Sequence, residues 1–507
     1  MSNKNPVIER KEGAILTYVN IFLNTFIMIF YTPFVIKMLG QSEFGLYSLA
    51  ISIMGYIAIF DFGLGNAVVV FTSKFIAKNQ QNKQNILYST VFVFYICMSF
   101  LIIILGVIFL SNIELFFKNS LTLEEIEILK VLVMLLIFNM TFSLPCNVFS
   151  SILNAYERFI FMKKISILRS LLTPLFLSVI LLLGFKSISM IVSITFLNIL
   201  YFLTIIIYCK KNINMKIDIL KFNFNFLKMV LNYSIFIFIG LIVDQVNWNF
   251  GQFIIGSFLG AKEVGVFAIA ILFNSMFIML STAISGVFLP KISKMISSGA
   301  NNETLTNEMI RIGRLQGYII FLILFGFIIF GKDFIKLWVG ESYIDAYYLT
   351  IIIMIPLSVP LIQNLGLSIM QAKNQYQFKA ISTLIGAIIS IFLSIYLVKI
   401  YGYFGVSFSI ASMFFIMNGI AINWYYHKKI KLNMQKFWSE IFKNITPIFL
   451  LFLLFLLFSN FIKSDNIVYF AIEILVFMLL YFIVCYKICM NEYEKSLLES
   501  ILKKIKV

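Results

Sequence analysis

Between the apolar stretches IFIFIGLIV and FIIGSFLGA stands DQVNWNFGQ, residues 244–252, and five of these nine side chains end in a carboxylate or carboxamide: Asp244, Gln245, Asn247, Asn249 and Gln252. A carboxamide donates and accepts hydrogen bonds, a carboxylate accepts them and carries charge, and Trp248 adds an apolar face. This is binding chemistry. At about 100° per residue in a regular helix, Asp244, Asn247, Trp248 and Gly251 fall on one stripe, with Gln245, Asn249 and Gln252 on a second about a quarter turn away. Val246, Phe250 and Phe253 hold the remaining side. One or two amides can serve as hydrogen-bonding glue between membrane helices. Five would leave many in need of partners at a dry interface, and the expectation is therefore that they line a wet cavity.

A second deep acid, Asp61 in FDFGLGNA, lies about 17 residues into an apolar run, where a carboxylate is costly and normally functional or paired. Its two readings are a gradient-coupling acid, or an ion-paired or capping group at a helix break that Gly63 and Gly65 permit. If Asp61 or Asp244 couples transport, the coupling ion is a proton or a monovalent cation. No cofactor is expected. The single histidine, His427, opens a basic loop, and the five cysteines show no paired spacing, so no catalytic residue and no metal site is assigned. The phosphate-loop pattern GxxxxGK[ST] is missing.

The elements that position these residues must sit in lipid. Of the 507 residues, 61% are hydrophobic and 12% charged. Apolar runs of about 18 residues or more, long enough to cross a hydrocarbon core of about 30 Å, recur over 14–39, 44–73, 86–110, 125–153, 165–184, 188–209, 226–258, 263–290, 312–331, 343–370, 380–399, 404–426, 444–462 and 467–486. The fold class is all-α integral membrane protein with fourteen transmembrane helices. An even number puts both termini on one side. With that side cytoplasmic, only Lys37, Lys118, Lys186, Lys262, Lys332, Lys336, Lys399 and Lys463 lie outside and only Lys130 and Arg169 within spans. The bias obeys the positive-inside rule. It also explains the net charge of +17 through basic loops facing anionic lipid, leaving no need for a nucleic-acid partner.

The chain repeats at an offset of 220. LGQSEFGLY (39–47) meets LGAKEVGVF (259–267) and FTSKFI (71–76) meets KISKMI (291–296), while NAYERF (154–159) stands opposite QAKNQY (371–376). Two parallel six-helix lobes are expected, 1–221 (helices 1–6) and 222–436 (helices 7–12), around a central cavity. Residues 437–507 add two helices and a basic cytoplasmic tail. The same offset matches Asn24 to Asp244, so the two lobes would present unequal walls. Pro145 in the fourth span and Pro356 and Pro360 in the tenth suit either hinges or static kinks.

The run LGQSEFGLYSLAISIMGYIAIFDFGLGNAVVVFTSKF, with LGAKEVGVFAIA and the NAYERF and QAKNQY helix ends, resembles the polysaccharide-biosynthesis oligosaccharide flippases of the multidrug/oligosaccharidyl-lipid/polysaccharide exporter superfamily. The resemblance covers the whole chain, and its motifs are largely structural. It implies a carrier that alternates between inward-open and outward-open states and moves an undecaprenyl-pyrophosphate-linked oligosaccharide through the bilayer for O-antigen or capsule-type polysaccharide. A polymerase and chain-length proteins would be partners. Sugars suit the amides and Trp248, since their hydroxyls need donors and acceptors and their C–H faces stack on rings. The pyrophosphate would need cations, and the candidates are Arg158, Lys163, Lys164, Arg169, Lys74, Lys294, Arg311 and Arg314. Arg169 lies deepest, where a guanidinium can grip phosphate oxygens bidentately; for the rest, snorkelling side chains are the plainer account.

Three alternatives remain. A multidrug or cation antiporter of the same superfamily would use Asp244 with Trp248. A membrane oligosaccharide polymerase would need a large outside loop, which the sequence lacks. A lipid II flippase fits less well, because the first span lacks the cations that family turns to its cavity. Abundant Ile, Lys, Asn and Phe suggest an AT-rich genome, hence a bacterial cytoplasmic membrane.

Overall fold

The structure, a computed structural model, describes residues 6–505 apart from 214, 286–287, 374 and 460–466. Lys463 and position 374 of the QAKNQY match therefore lie outside the described residues. Fourteen helices long and apolar enough to span a membrane occur in it: α1 Val19–Leu39, α2 Gln41–Ala77, α3 Gln81–Ser111, α4 Leu123–Ala155, α5 Phe159–Leu182, α6 Ser187–Asn212, α7 Phe224–Phe258, α8 Ala261–Thr282, α9 Asn302–Val339, α10 Glu341–Ile362, α11 Gln377–Tyr401, α12 Tyr403–Lys428, α13 Met434–Leu457 and α14 Val468–Cys489. An amphipathic helix, α15 (Glu492–Ile505), follows. There is no strand among the described residues. The protein is a multi-pass, all-α membrane protein, as its hydropathy predicts.

Local sequence sets the helix starts. Thr122 and Glu125 form a reciprocal capping box before α4, while Asn223 and Asn301 accept from the first free N–H groups of α7 and α9. Each cap satisfies donors that no preceding turn can reach.

Packing divides the chain into two compact units, Met1–Ala268 with Val398–Tyr403, and Ile269–Leu397 with Phe404–Val507. In the first, α4 is the central element, touching α2, α3 and α6, while α1 packs on α5 and α7 lies against α2 and α3. In the second, α9 packs on α10 and α13, and α10 on α12.

Two residues matched by the repeat meet in the first unit. A Cβ at Gly45 would stand 1.7 Å from the Ala261 carbonyl oxygen and 3.2 Å from the Gly265 nitrogen. Glu43 of the same motif is buried, and its carboxylate accepts from the Ser187 N–H (2.9 Å) and hydroxyl (2.8 Å) at the start of α6, with the Lys186 ammonium at 3.4 Å. The repeated LG-turn-G motif thus does structural work.

Gly45→Ala forces the α2 backbone away from Ala261 and is expected to destabilise by about 3 kcal/mol, the upper range for overpacking. Gly240→Ala, with nothing within 4 Å of its new methyl, serves as the neutral control. Thermal unfolding of the two purified variants in detergent checks the difference.

Candidate functional site

Helix α7 is not a regular helix where its polar residues cluster. An α-helix over Phe224–Gln245 passes into a π-helical turn, Val246–Phe250, and returns to α-helix over Gly251–Phe258. A π turn accommodates an extra residue and re-aims every side chain beyond it. Of the two stripes drawn for a regular helix, Gln245 and Asn249 of the second stay neighbours, while Asp244 and Asn247 of the first differ in exposure. Gln245 and Asn249 are joined by a 2.5 Å hydrogen bond and back onto Gly55 of α2, where a Cβ would lie 2.6 Å from both amides. Asn247 and Gln252 are buried, 5% and 8% exposed, and Asn247 Oδ1 and Gln252 Oε1 have no hydrogen-bond partner. Asp244 is exposed and Trp248 half-buried. Phe250 and Phe253 meet the Tyr56 ring edge-on, each at 6.2 Å.

Other departures from regular helix are compensated by neighbouring side chains. In α2 the chain turns through left-handed Phe62 (φ 51°) and Gly63 (φ 67°), and Tyr95 donates to the Asp61 carbonyl at 3.3 Å while Ser234 donates to that of Gly63 at 3.4 Å. The π turn Phe414–Ala421 of α12 offers the Asn418 carbonyl to Gln363 (2.9 Å) and Asn423 (3.0 Å). In α14 the π turn Cys485–Cys489 offers the Cys489 carbonyl to Arg314 at 2.8 Å. In α7 two buried amide oxygens lack a donor, Asn247 Oδ1 in the π turn and Gln252 Oε1 just beyond it. A buried acceptor left unpaired costs about 1–3 kcal/mol, and a ligand bearing hydroxyl or N–H groups would remove that cost.

Asp61 accepts a short hydrogen bond from the fully buried Tyr95. It caps no helix: Gly63 is the N-cap residue of the segment that follows, with no side-chain cap. The break falls at Phe62–Gly63 and not at Gly65, whose missing side chain leaves room for Ser151 Oγ at 3.0 Å. Asn24 donates to the Asn20 carbonyl and to Asn20 Oδ1, both at 2.9 Å. Asn20 in turn donates to Ser166 (3.0 Å) and accepts from Ser170 (3.3 Å), which joins α1 to α5. Sequence analysis missed Tyr95, Asn20, Ser166 and Ser170; the four-residue spacings Asn20/Asn24 and Ser166/Ser170 were the available signal.

The cationic candidates divide by environment. Arg169 stacks over the Tyr201 ring at 5.1 Å. Arg158 has its Nε buried without a partner. Lys163 is half-exposed and Lys164 exposed, as is Lys74, 5.3 Å from the Phe71 ring. In the second unit Lys294 is exposed, and Arg311 bonds Glu308 at 3.2 Å and covers Tyr493 at 3.6 Å. Arg314 answers a different need from phosphate binding. Its Nε and Nη2 reach the two oxygens of Glu494 at 2.7 and 2.9 Å, and the Glu494 side chain is 0% exposed. With Tyr318 bonded to both Asn444 and Glu494, this network clasps α15 and α13 to α9.

The fold defines a multi-pass, all-α membrane protein with polar groups set into its spans. The family model for polysaccharide biosynthesis proteins matches residues 34–348, and the chain belongs to that family. Among solved structures, the lipid II flippase MurJ in an inward closed conformation superposes with a TM-score of 0.72 at 18% identity, over 93% of this chain and 97% of that one. An inward-facing multidrug resistance MATE family transporter of the MOP superfamily gives 0.60 at 15% identity, over 83% and 97%. A mutant of the Vibrio cholerae MATE transporter VcmN gives 0.58 at 14%, over 84% and 98%. These likenesses establish the fold. No curated protein matches the sequence.

Removing one partner of the buried Arg314–Glu494 pair leaves a buried charge alone, which costs about 3–5 kcal/mol. Arg314→Ala and Glu494→Ala are each expected to lose that much stability and the double variant far less than their sum. Thermal unfolding of the four proteins gives the coupling; additive losses would show that the clasp is not formed.

Proposed function

We propose that the protein is a flippase, carrying an undecaprenyl-pyrophosphate-linked oligosaccharide across the bacterial cytoplasmic membrane by alternating access, for surface polysaccharide of O-antigen or capsule type. The observation that carries this reading is that Asn247 in the π turn of α7 and Gln252 just beyond it hold acceptor oxygens without donors inside a membrane helix. Sugar hydroxyls are donors of the right kind, and membership of a polysaccharide biosynthesis family supports a glycan as their source. Arg169 and Arg158 are the preferred partners for the pyrophosphate, with Lys163, Lys74, Lys294 and Arg311 secondary. The duplicated halves, 1–221 and 222–436, supply the two lobes, with 437–507 appended and both termini cytoplasmic. The chain carries its cargo without chemical change, and a polymerase and chain-length proteins act on what it delivers.

Deletion in the native cell, followed by extraction of polyprenyl-linked sugars sorted by length and membrane face, tests the reading. Complete single repeat units should accumulate on the cytoplasmic face with loss of surface polysaccharide. Single units accumulating outside would indicate a polymerase, and an unchanged glycolipid profile would point to drug efflux.

Coupling to a proton or monovalent cation gradient is assigned to Asp244 or Asp61. Asp244→Asn and Asp61→Asn change shape little, and a carboxamide in place of the Asp61 carboxylate keeps an oxygen for the Tyr95 hydroxyl. At least one should abolish gradient dependence at normal protein level. Normal gradient-driven transport in proteoliposomes by both variants would rule coupling through these acids out.

A further inference from the structure

Beside the polar turn of α7, within the first unit, lies a cavity of about 320 Å³ with almost wholly apolar walls, among them Ile53 and Tyr56 of α2, Leu105 and Phe109 of α3, and Phe250 and Phe253 of α7. That is the small end of the range of about 300–1,000 Å³ for ligand pockets. A cavity with such walls excludes water and accepts hydrocarbon.

The chemistry changes across one residue on each of two walls. On α2, Gly55 faces the Gln245–Asn249 amide pair, and the next residue, Tyr56, lines the cavity. On α7, Asn249 belongs to the amide pair and Phe250 to the cavity. The Tyr56 hydroxyl sits at this join, buried and without a partner. A ligand satisfying both sides carries a hydrogen-bonding end on a bulky hydrocarbon chain. A route from the bilayer is present as well: Leu105 lines the cavity yet is 43% exposed, on a surface of α3 shared with Ile104 and Ile108.

We propose that this cavity holds the head-proximal isoprene units of the lipid-linked substrate, with its polar end at Gln245, Asn249 and Tyr56. The proposal rests on the flippase reading above and adds a site for the carrier chain. A bilayer phospholipid fits less well, because its ester and phosphate groups stay at the interface, whereas Gly55 and Asn249 lie well inside their helices. Methyl-branched isoprene units also fill a space between aromatic edges more completely than a straight acyl chain does.

The test uses the full-length protein in lipid nanodiscs and a polyprenyl pyrophosphate carrying one N-acetylhexosamine and a diazirine in its first isoprene units. After irradiation, adducts mapped by mass spectrometry should fall in 53–60, 102–109 and 250–253, be competed by the unlabelled compound, and resist excess phospholipid. Leu105→Trp, which fills the cavity from its exposed rim, should cut adduct yield by about tenfold or more. Leu101→Trp, also exposed on α3 but away from the lining, should not. The same headgroup carrying no isoprene chain should bind both variants equally. Adducts elsewhere, equal competition by phospholipid, or an unchanged yield in Leu105→Trp would overturn the chain site while leaving the flippase reading in place. Failure of both the long-chain and the chain-free compound to bind would overturn the flippase reading itself.

Discussion

A hydrocarbon core supplies no hydrogen bonds, so wherever a spanning helix departs from its regular ladder some other group of the protein must take up the freed backbone atoms. The positions of Tyr95, Ser234, Gln363 and Arg314 follow from this constraint. Each donates to a carbonyl at an irregular turn, at Asp61, Gly63, Asn418 and Cys489 respectively. Polar side chains that look functional when met singly in an apolar run are, at these places, part of the backbone's own hydrogen-bond economy.

In α7 the buried Asn247 of the π turn and Gln252 just beyond it have acceptor oxygens that remain unpaired, and a hydrogen-bonded amide pair lies one residue from an aromatic-lined cavity. Polar and apolar binding surfaces therefore meet within a single helical turn. Such an arrangement suits an amphiphile better than a soluble sugar or a detached lipid, which is the ground for proposing a lipid-borne cargo.

The clasp around Glu494 shows how the appended helices are held. A bidentate Arg314 and the Tyr318 hydroxyl converge on one buried carboxylate, and the same hydroxyl bonds Asn444, so α13 and α15 are both tied to α9. Ionic groups so thoroughly desolvated hold geometry at a high cost if either partner is lost. Arg314 is thereby withdrawn from the cations available to a phosphate.

Hydropathy alone determined that this is a membrane protein of fourteen helices, because burial in lipid demands an apolar residue at nearly every position for about 18 residues or more and that demand is written locally. Gly45 and Gly265, matched at the 220-residue offset, touch, a contact the sequence match by itself did not specify. The conformation of α7 was not legible either: a regular wheel assigns Asp244 and Asn247 to one stripe, whereas the π turn leaves Asp244 exposed and Asn247 buried. Nor did FDFGLGNA reveal that Phe62 takes the left-handed conformation, which bulky residues rarely adopt, since contacts from Phe94 and Phe238 surround that ring. Arg314 looked like a phosphate ligand because its partner lies 180 residues away. Helix existence depends on neighbours along the chain; helix register at a bulge, and the partner of each buried charge, depend on what packs against it, and only the tertiary structure decides that.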